Sequence, residues 1–142
     1  MSTEQNKDIF RRIVDASNSG DLARIRDVMY DLVAEDFVGH APGEPDFHGP
    51  EGYMETMRLF HSGLADLQIE IQDLIAEDDR VVVQLVFSGI HTGEFAGVPP
   101  TGRKVSVPEV AIGRVRDGKL VEEFEYWDNL TMLRQLGVEI DV

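Results

Sequence analysis

Asp128 and Glu109 are the residues whose type and placement most invite chemistry. Asp128 closes the aromatic run Tyr126-Trp127, and Glu109 interrupts an otherwise apolar segment between Pro108 and Val110. A carboxyl group held beside apolar rings resists ionisation, so its pKa climbs toward the range where it exchanges protons near neutral pH. Two such groups close together raise one of the two further. Other readings stand beside these. Aspartate is a preferred helix cap, and Asp128 lies two residues before Leu130, where an apolar helical stripe begins. Glu109 next to Pro108 also suits an exposed strand edge. Among the four histidines, His40 ends a short apolar run and His91 ends a β-branched run where a Gly/Pro-rich loop begins. Both are candidates for polar groups at a cavity mouth, or else ordinary loop histidines. His61 falls on an apolar helix face as a wall or core residue, and His48 lies in a loop. No two histidines stand at helical ligand spacing and the chain has no cysteine, so neither a metal nor a thiol chemistry is expected. No phosphate-cradling glycine loop, nucleophile elbow or dinucleotide fingerprint is present. Any catalysis is expected to be proton transfer.

The elements that must position these groups are legible from periodicity. Ile9, Phe10, Ile13 and Val14 recur at helical spacing over 7–19, and Asn18-Ser19-Gly20 supplies a stop. Asp21 stands where an N-cap is wanted for a second helix carrying Leu22, Ile25, Met29 and Leu32. The run 36–40, Asp-Phe-Val-Gly-His, is too brief to stand alone, and 41–50 reads as a rim loop. Pro50 opens a third helix whose face carries Tyr53, Met57, Phe60, His61 and Leu64. Strands are expected over 67–76, 80–90, 104–116 and 119–128, followed by a short helix over 130–136. The loop 91–103 holds three glycines and two prolines, which makes regular structure there improbable. The whole chain, 1–142, reads as one domain.

Asp117-Gly118 is the strongest local signal, since this dipeptide favours a two-residue type I′ hairpin. Counting outward from Arg116 opposite Lys119 sets Ala111 against Phe124, Glu109 against Tyr126 and Val107 against Asp128. Phe124, Tyr126 and Asp128 then share a face with Glu109, while Glu123, Glu125 and Trp127 take the other, provided no bulge intervenes. Candidate ligand-lining residues are Glu109, Phe124 and Tyr126 on that face, with Phe37, Met57, Phe60, His61, Phe95 and Trp127 around it. The aromatic and methionine residues of this set would equally fill an ordinary core.

A formal charge of −14 opposes a nucleic-acid partner, because phosphate binding needs a positive footprint. The polar first residues lack the apolar core of a signal peptide, and no later run could span a bilayer. A cytoplasmic location with no membrane partner is therefore expected.

Several segments, in order, resemble the SnoaL-like polyketide cyclases, also called ester cyclases. They are 18–21 (Asn-Ser-Gly-Asp), 36–40, 49–52 (Gly-Pro-Glu-Gly), 91–102, Asp117-Gly118, and Trp127-Asp128 through the Gln-Leu-Gly of 135–137. The resemblance implies an α+β fold in which a curved, mixed and largely antiparallel sheet wraps N-terminal helices as a cone-shaped barrel with a hydrophobic pocket, as in ketosteroid isomerases and limonene epoxide hydrolases. It implies a cofactor-independent cyclase that closes a ring in a small hydrophobic keto compound by intramolecular aldol condensation. Carried over, Asp128 is the acid/base, and His40 and His91 hydrogen-bond the enolate or alkoxide. The same cone also serves as a non-catalytic binding or dimerisation module, and a homodimer is expected from the exposed sheet face.

Overall fold

The computed structural model describes residues 2–141. Helix α1 (Thr3–Ser19) begins on a reciprocal cap in which Ser2 and Gln5 satisfy each other's backbone N–H, and it ends where Gly20 turns left-handed. Asp21 caps α2 (Leu22–Leu32) by accepting from the N–H groups of Ala23 and Arg24, as its position in the sequence implies. The chain continues through β1 (Val33–His40), β2 (Phe47–His48), α3 (Gly49–Gly63), β3 (Leu64–Glu77), β4 (Arg80–His91), β5 (Lys104–Arg116), β6 (Lys119–Trp127) and α4 (Asn129–Gln135).

The six strands form one curved, unclosed sheet in the order β2-β1-β6-β5-β4-β3. Only β1 and β6 run parallel; the other neighbours are antiparallel. The expected α+β class therefore holds, with a sheet that curls around the helices without closing on itself. The run 36–40 does become a strand, because it lies beside β6 and is flanked by β2. Backbone pairing supplied by distant segments outweighs its short length.

The concave face packs on α1 and α2 through Ile9, Phe10, Ile13, Ile25 and Met29, all nearly or fully buried. Gly113 is what lets α1 approach: a Cβ there would lie 2.6 Å from the Phe10 ring and 2.9 Å from Leu120 Cδ1. Among the described residues no helix is long and apolar enough to cross a membrane.

The hairpin turn is where expected, with Asp117 and Gly118 both at positive φ and Arg116 opposite Lys119. The register beyond it is not. Val115 pairs with Leu120 but Arg114 pairs with Glu122, so Val121 is an extra residue in β6. Such a bulge moves every later side chain to the other face. Glu109 therefore lies opposite Trp127, Ala111 opposite Glu125 and Gly113 opposite Glu123. The expectation that Phe124, Tyr126 and Asp128 share a face with Glu109 is overturned: Glu123, Glu125 and Trp127 do.

Candidate proton-transfer site

Three carboxyl groups share the concave face. Glu123 and Glu125 are 2% and 7% exposed, an unusual state for glutamate, and Glu109 is enclosed by protein on most sides while keeping part of its surface open. Alternation places all three on one face: Glu123 and Glu125 are two residues apart on β6, and Glu109 stands two residues from Ala111, the residue opposite Glu125.

The Tyr53 hydroxyl, brought in from α3, donates to Glu123 Oε1 at 3.2 Å, and Glu123 Oε2 receives no donor from elsewhere in the described residues. The Glu123 and Glu125 carboxyls hydrogen-bond to each other, which raises the pKa of Glu123 and lowers that of Glu125. Of the two, Glu123 is held the more strongly in its protonated form. Burial is the first cause of all three shifts. It lifts Glu125 to about 7, and together with the charge of Glu125 it lifts Glu109 to about 8 and Glu123 well above the usual carboxylate range. Burial and the charges of Glu123 and Glu125 likewise push Tyr53 well above the ordinary phenol value. Near neutral pH the cluster therefore holds an ionisable base, Glu125, beside acids that keep their protons.

An aromatic wall backs this cluster. Phe37 and Tyr53 are buried, and with Phe47 they form a mutual trio with centroids 5.5–5.8 Å apart. Past Glu109 along the same face, Phe87 meets Phe60 edge-on at 5.3 Å, and Phe60 meets Phe95 at 5.1 Å. Met57, Phe60, Phe95 and Trp127 are partly buried against the core, and Trp127 Nε1 donates to Asn129 Oδ1. Of the expected lining residues, the structure thus brings Glu109, Phe37, Met57, Phe60, Phe95 and Trp127 to the concave side. Phe124 and Tyr126 face outward, Tyr126 being 52% exposed.

The remaining candidates stand elsewhere. Asp128 is exposed and caps α4: Oδ1 accepts from the Thr131 N–H at 3.0 Å and Oδ2 from the Thr131 hydroxyl at 2.7 Å, bonds that hold its carboxyl below the usual value. His40 lies on the outer face with its ring stacked on Phe124, its Nδ1 2.9 Å from Asp46 and its Nε2 3.0 Å from Glu122. Those carboxylates, Glu122 foremost, raise its pKa. His91 is fully buried, but both ring nitrogens serve the loop that follows it. His61 contacts the Ser17 hydroxyl at 3.2 Å, and burial lowers its pKa. His48 occupies the N-cap position of α3 without a side-chain bond. Two open clefts of about 450 and 280 Å³ mark the convex side, and neither is lined by any of the three glutamates. No group of three or more His, Cys, Asp or Glu among the described residues is arranged to hold a metal ion.

Sequence reasoning missed Glu123 and Glu125. The signal lay in Leu120-Val121, two consecutive apolar residues that are both buried and so mark the bulge.

Comparison with known proteins agrees with this architecture. The chain is 27% identical over 141 residues to the aklanonic acid methyl ester cyclase DnrD of Streptomyces peucetius, covering 96% of this chain and 92% of that one. It is 29% identical to the nogalonic acid methyl ester cyclase of Streptomyces nogalater, with coverage of 88% and 92%. Among solved structures, IdmH of Streptomyces antibioticus superposes with a TM-score of 0.78 at 36% identity, over 94% of this chain and 99% of that one. An LEH-like epoxide hydrolase of M. tuberculosis, at 16% identity and a TM-score of 0.73 over 94% and 90% of the two chains, shares the fold alone. The sequence profile of the SnoaL-like polyketide cyclases matches residues 7–136. With the resemblance seen in its motifs now matched over nearly its whole length, the chain belongs to the SnoaL-like polyketide cyclase family.

Proposed function

We propose that the protein closes a ring in a hydrophobic polycarbonyl ester by intramolecular aldol addition, with the protons handled by Glu109, Glu123 and Glu125 and no cofactor taking part. The observation that carries this reading is the trio of carboxyls on the concave face, one ionising near neutral pH beside two that stay protonated. Enzymes place pKa values apart in this way where one group must accept a proton and another must donate one.

In the proposed sequence the Glu125 carboxylate takes a proton from the carbon between two carbonyls. The C–H electron pair becomes an enolate, whose carbon attacks a ketone carbon of the same molecule and forms the new C–C bond. The ketone π pair moves to oxygen, which takes its proton from a carboxylic acid, with Glu109 at the open edge as donor. Transfer of the proton from Glu125 back to Glu109 restores the enzyme, so the atoms balance with no oxidant or reductant. Glu123, held by Tyr53, hydrogen-bonds Glu125 and lowers its pKa toward the working range. The apolar wall of Phe37, Phe60 and Trp127 excludes water, which strengthens each of these interactions. Asp128, His40 and His91 are assigned structural duties here, since their polar atoms are already engaged.

The test is turnover of aklanonic acid methyl ester and nogalonic acid methyl ester by the parent and by Glu125→Gln. Ring closure by the parent that falls at least a hundredfold in the variant supports the reading. Binding without turnover in both makes the protein a ligand-binding module instead. As to assembly, the proposal is a homodimer joined through the convex face, where Val110 and Tyr126 are exposed beside Phe124; sedimentation of the parent and Tyr126→Asp tests it.

A further inference from the structure

Glu123 and Glu125 are buried and Glu109 is open only in part, so a substrate needs a way in, and one segment is attached loosely enough to provide it. Around the site β4 and β5 are held by a continuous backbone ladder, and β5 and β6 by one interrupted only at the Val121 bulge. Between β4 and β5, by contrast, the chain leaves the sheet for residues 92–103. At the root of this loop the Thr92 and Gly93 N–H groups donate to Gly63 O, and the Gly102 N–H donates to His91 O. Over its tip, 94–101, the only backbone-to-backbone bonds among the described residues are the internal pair between Phe95 and Val98. Among the described residues the tip is hydrogen-bonded to the rest of the protein only through the imidazole of His91 and through the Arg103 N–H, which donates to the Thr101 hydroxyl at the loop's own end.

The ring geometry fixes how that bond set works. The Thr101 N–H can only donate, so Nδ1 at 3.3 Å must be the accepting nitrogen. The ring proton is then on Nε2 and is donated to Val98 O at 3.2 Å, while the Thr101 hydroxyl lies 2.9 Å from Nδ1 and itself accepts from the Arg103 N–H. Both nitrogens of a fully buried histidine are thus spent on its own loop. The tip that they hold carries Phe95, whose ring packs edge-on against Phe60 and so continues the row that runs to Phe87. Phe87 faces Val107, the next concave position after Glu109. Phe95 therefore lies at the Phe87 end of the concave face, the end at which Glu109 is the first of the three acids. Ala96, at φ 52, bends the tip next to it through a conformation that non-glycine residues seldom adopt.

The geometry points to His91 as a positioning residue: its imidazole latches loop 92–103 so that Phe95 closes the entrance to the glutamates, and release of the latch opens that entrance. The role of the loop as an entrance rests on the carboxyl cluster being the reaction site; the latch itself does not.

Hydrogen exchange on the full chain decides the latch, because it needs no substrate. In His91→Ala, peptides covering 92–103 are expected to exchange about tenfold faster or more, with the β4 and β5 ladders unchanged. His91→Gln, whose amide can donate to Val98 O, is expected to recover part of the protection. Should His91→Ala fail to fold, Thr101→Val removes the hydroxyl beside Nδ1 and is read in the same way. Unchanged loop exchange in a folded variant overturns the proposal, as does acceleration spread evenly over the sheet. Turnover of aklanonic acid methyl ester supplies the second arm. His91→Ala should shift kcat/KM several-fold while leaving both limbs of the pH profile where the glutamates set them. An unchanged kcat/KM beside a freed loop removes the entrance role, whereas absence of turnover in the parent counts against the reaction assignment.

Discussion

Glu125 and Asp128 lie three residues apart at the end of the same strand and have opposite surroundings. Glu125 faces the concave side, is 7% exposed, and shares a hydrogen bond with a second carboxyl, so burial raises its pKa to about 7. Asp128 stands in solvent and spends both oxygens on Thr131, which lowers its pKa and keeps it ionised. Two carboxylates of the same intrinsic chemistry thus divide into a group able to exchange protons near neutrality and a group that terminates a helix. Which is which follows from a single extra residue, Val121, upstream of both.

Substituting the two residues should separate them most widely. Glu125→Gln is expected to reduce ring closure by at least about a hundredfold, while Asp128→Asn, whose amide oxygen can still accept from the Thr131 N–H, should stay within about twofold of the parent. Asp128→Ala should instead lower the midpoint of urea denaturation, because a helix cap is lost.

The next effect is on pH dependence. Activity should rise as Glu125 ionises near 7 and fall as Glu109 ionises near 8, giving a narrow bell. Glu109→Gln keeps a hydrogen-bond donor but removes that ionisation, so the alkaline limb should move or vanish while the acidic limb remains.

Stability follows with a definite sign. Glu109 has a folded pKa of about 8 against an ordinary 4.5, and Glu125 one of about 7, so between those values the native state holds more protons than the unfolded chain. Their contribution is therefore fully present below about 4.5 and is lost as pH rises through about 7 and 8. Asp128, with its pKa lowered, contributes the reverse: stability present above its unfolded value and lost as pH falls through the folded one. Denaturant midpoints across this range should decline toward alkaline pH in the parent, and less steeply in Glu109→Gln and Glu125→Gln. The smallest change is expected from Tyr53→Phe, which removes one donor to Glu123, raises the pKa of Glu123 further and should cost about 1 kcal/mol while leaving the acidic limb where Glu125 sets it.

Much of the scaffold was legible in the sequence. The Asp21 cap, the Asp117-Gly118 turn and the helical stripes of 7–19 and 22–32 are local signals, and local geometry honours them. The strand 33–40 was harder, because its partners lie far away in the chain. The site was misread for a more instructive reason. Hydrophobic patterning favours Phe124 and Tyr126 inside and the intervening glutamates outside, and the protein does the opposite. Burying three carboxyls opposes the solvation term that usually governs strand facing, and functional sites are where such local rules are broken. His40 shows the same error from another side. A rim histidine looked free to meet a ligand, but parallel pairing with β6 turned it outward onto Phe124 and between two carboxylates.

The central claim, that the proton-exchanging carboxyls are the buried glutamates rather than Asp128, is tested most directly by following side-chain carboxyl carbons by NMR as a function of pH. The account requires Glu125 and Glu109 to titrate near 7 and 8, Glu123 to keep its proton beyond them, and Asp128 to titrate below 3.8. Glutamates that all titrate near 4.5, with Asp128 displaced toward neutrality, would contradict it.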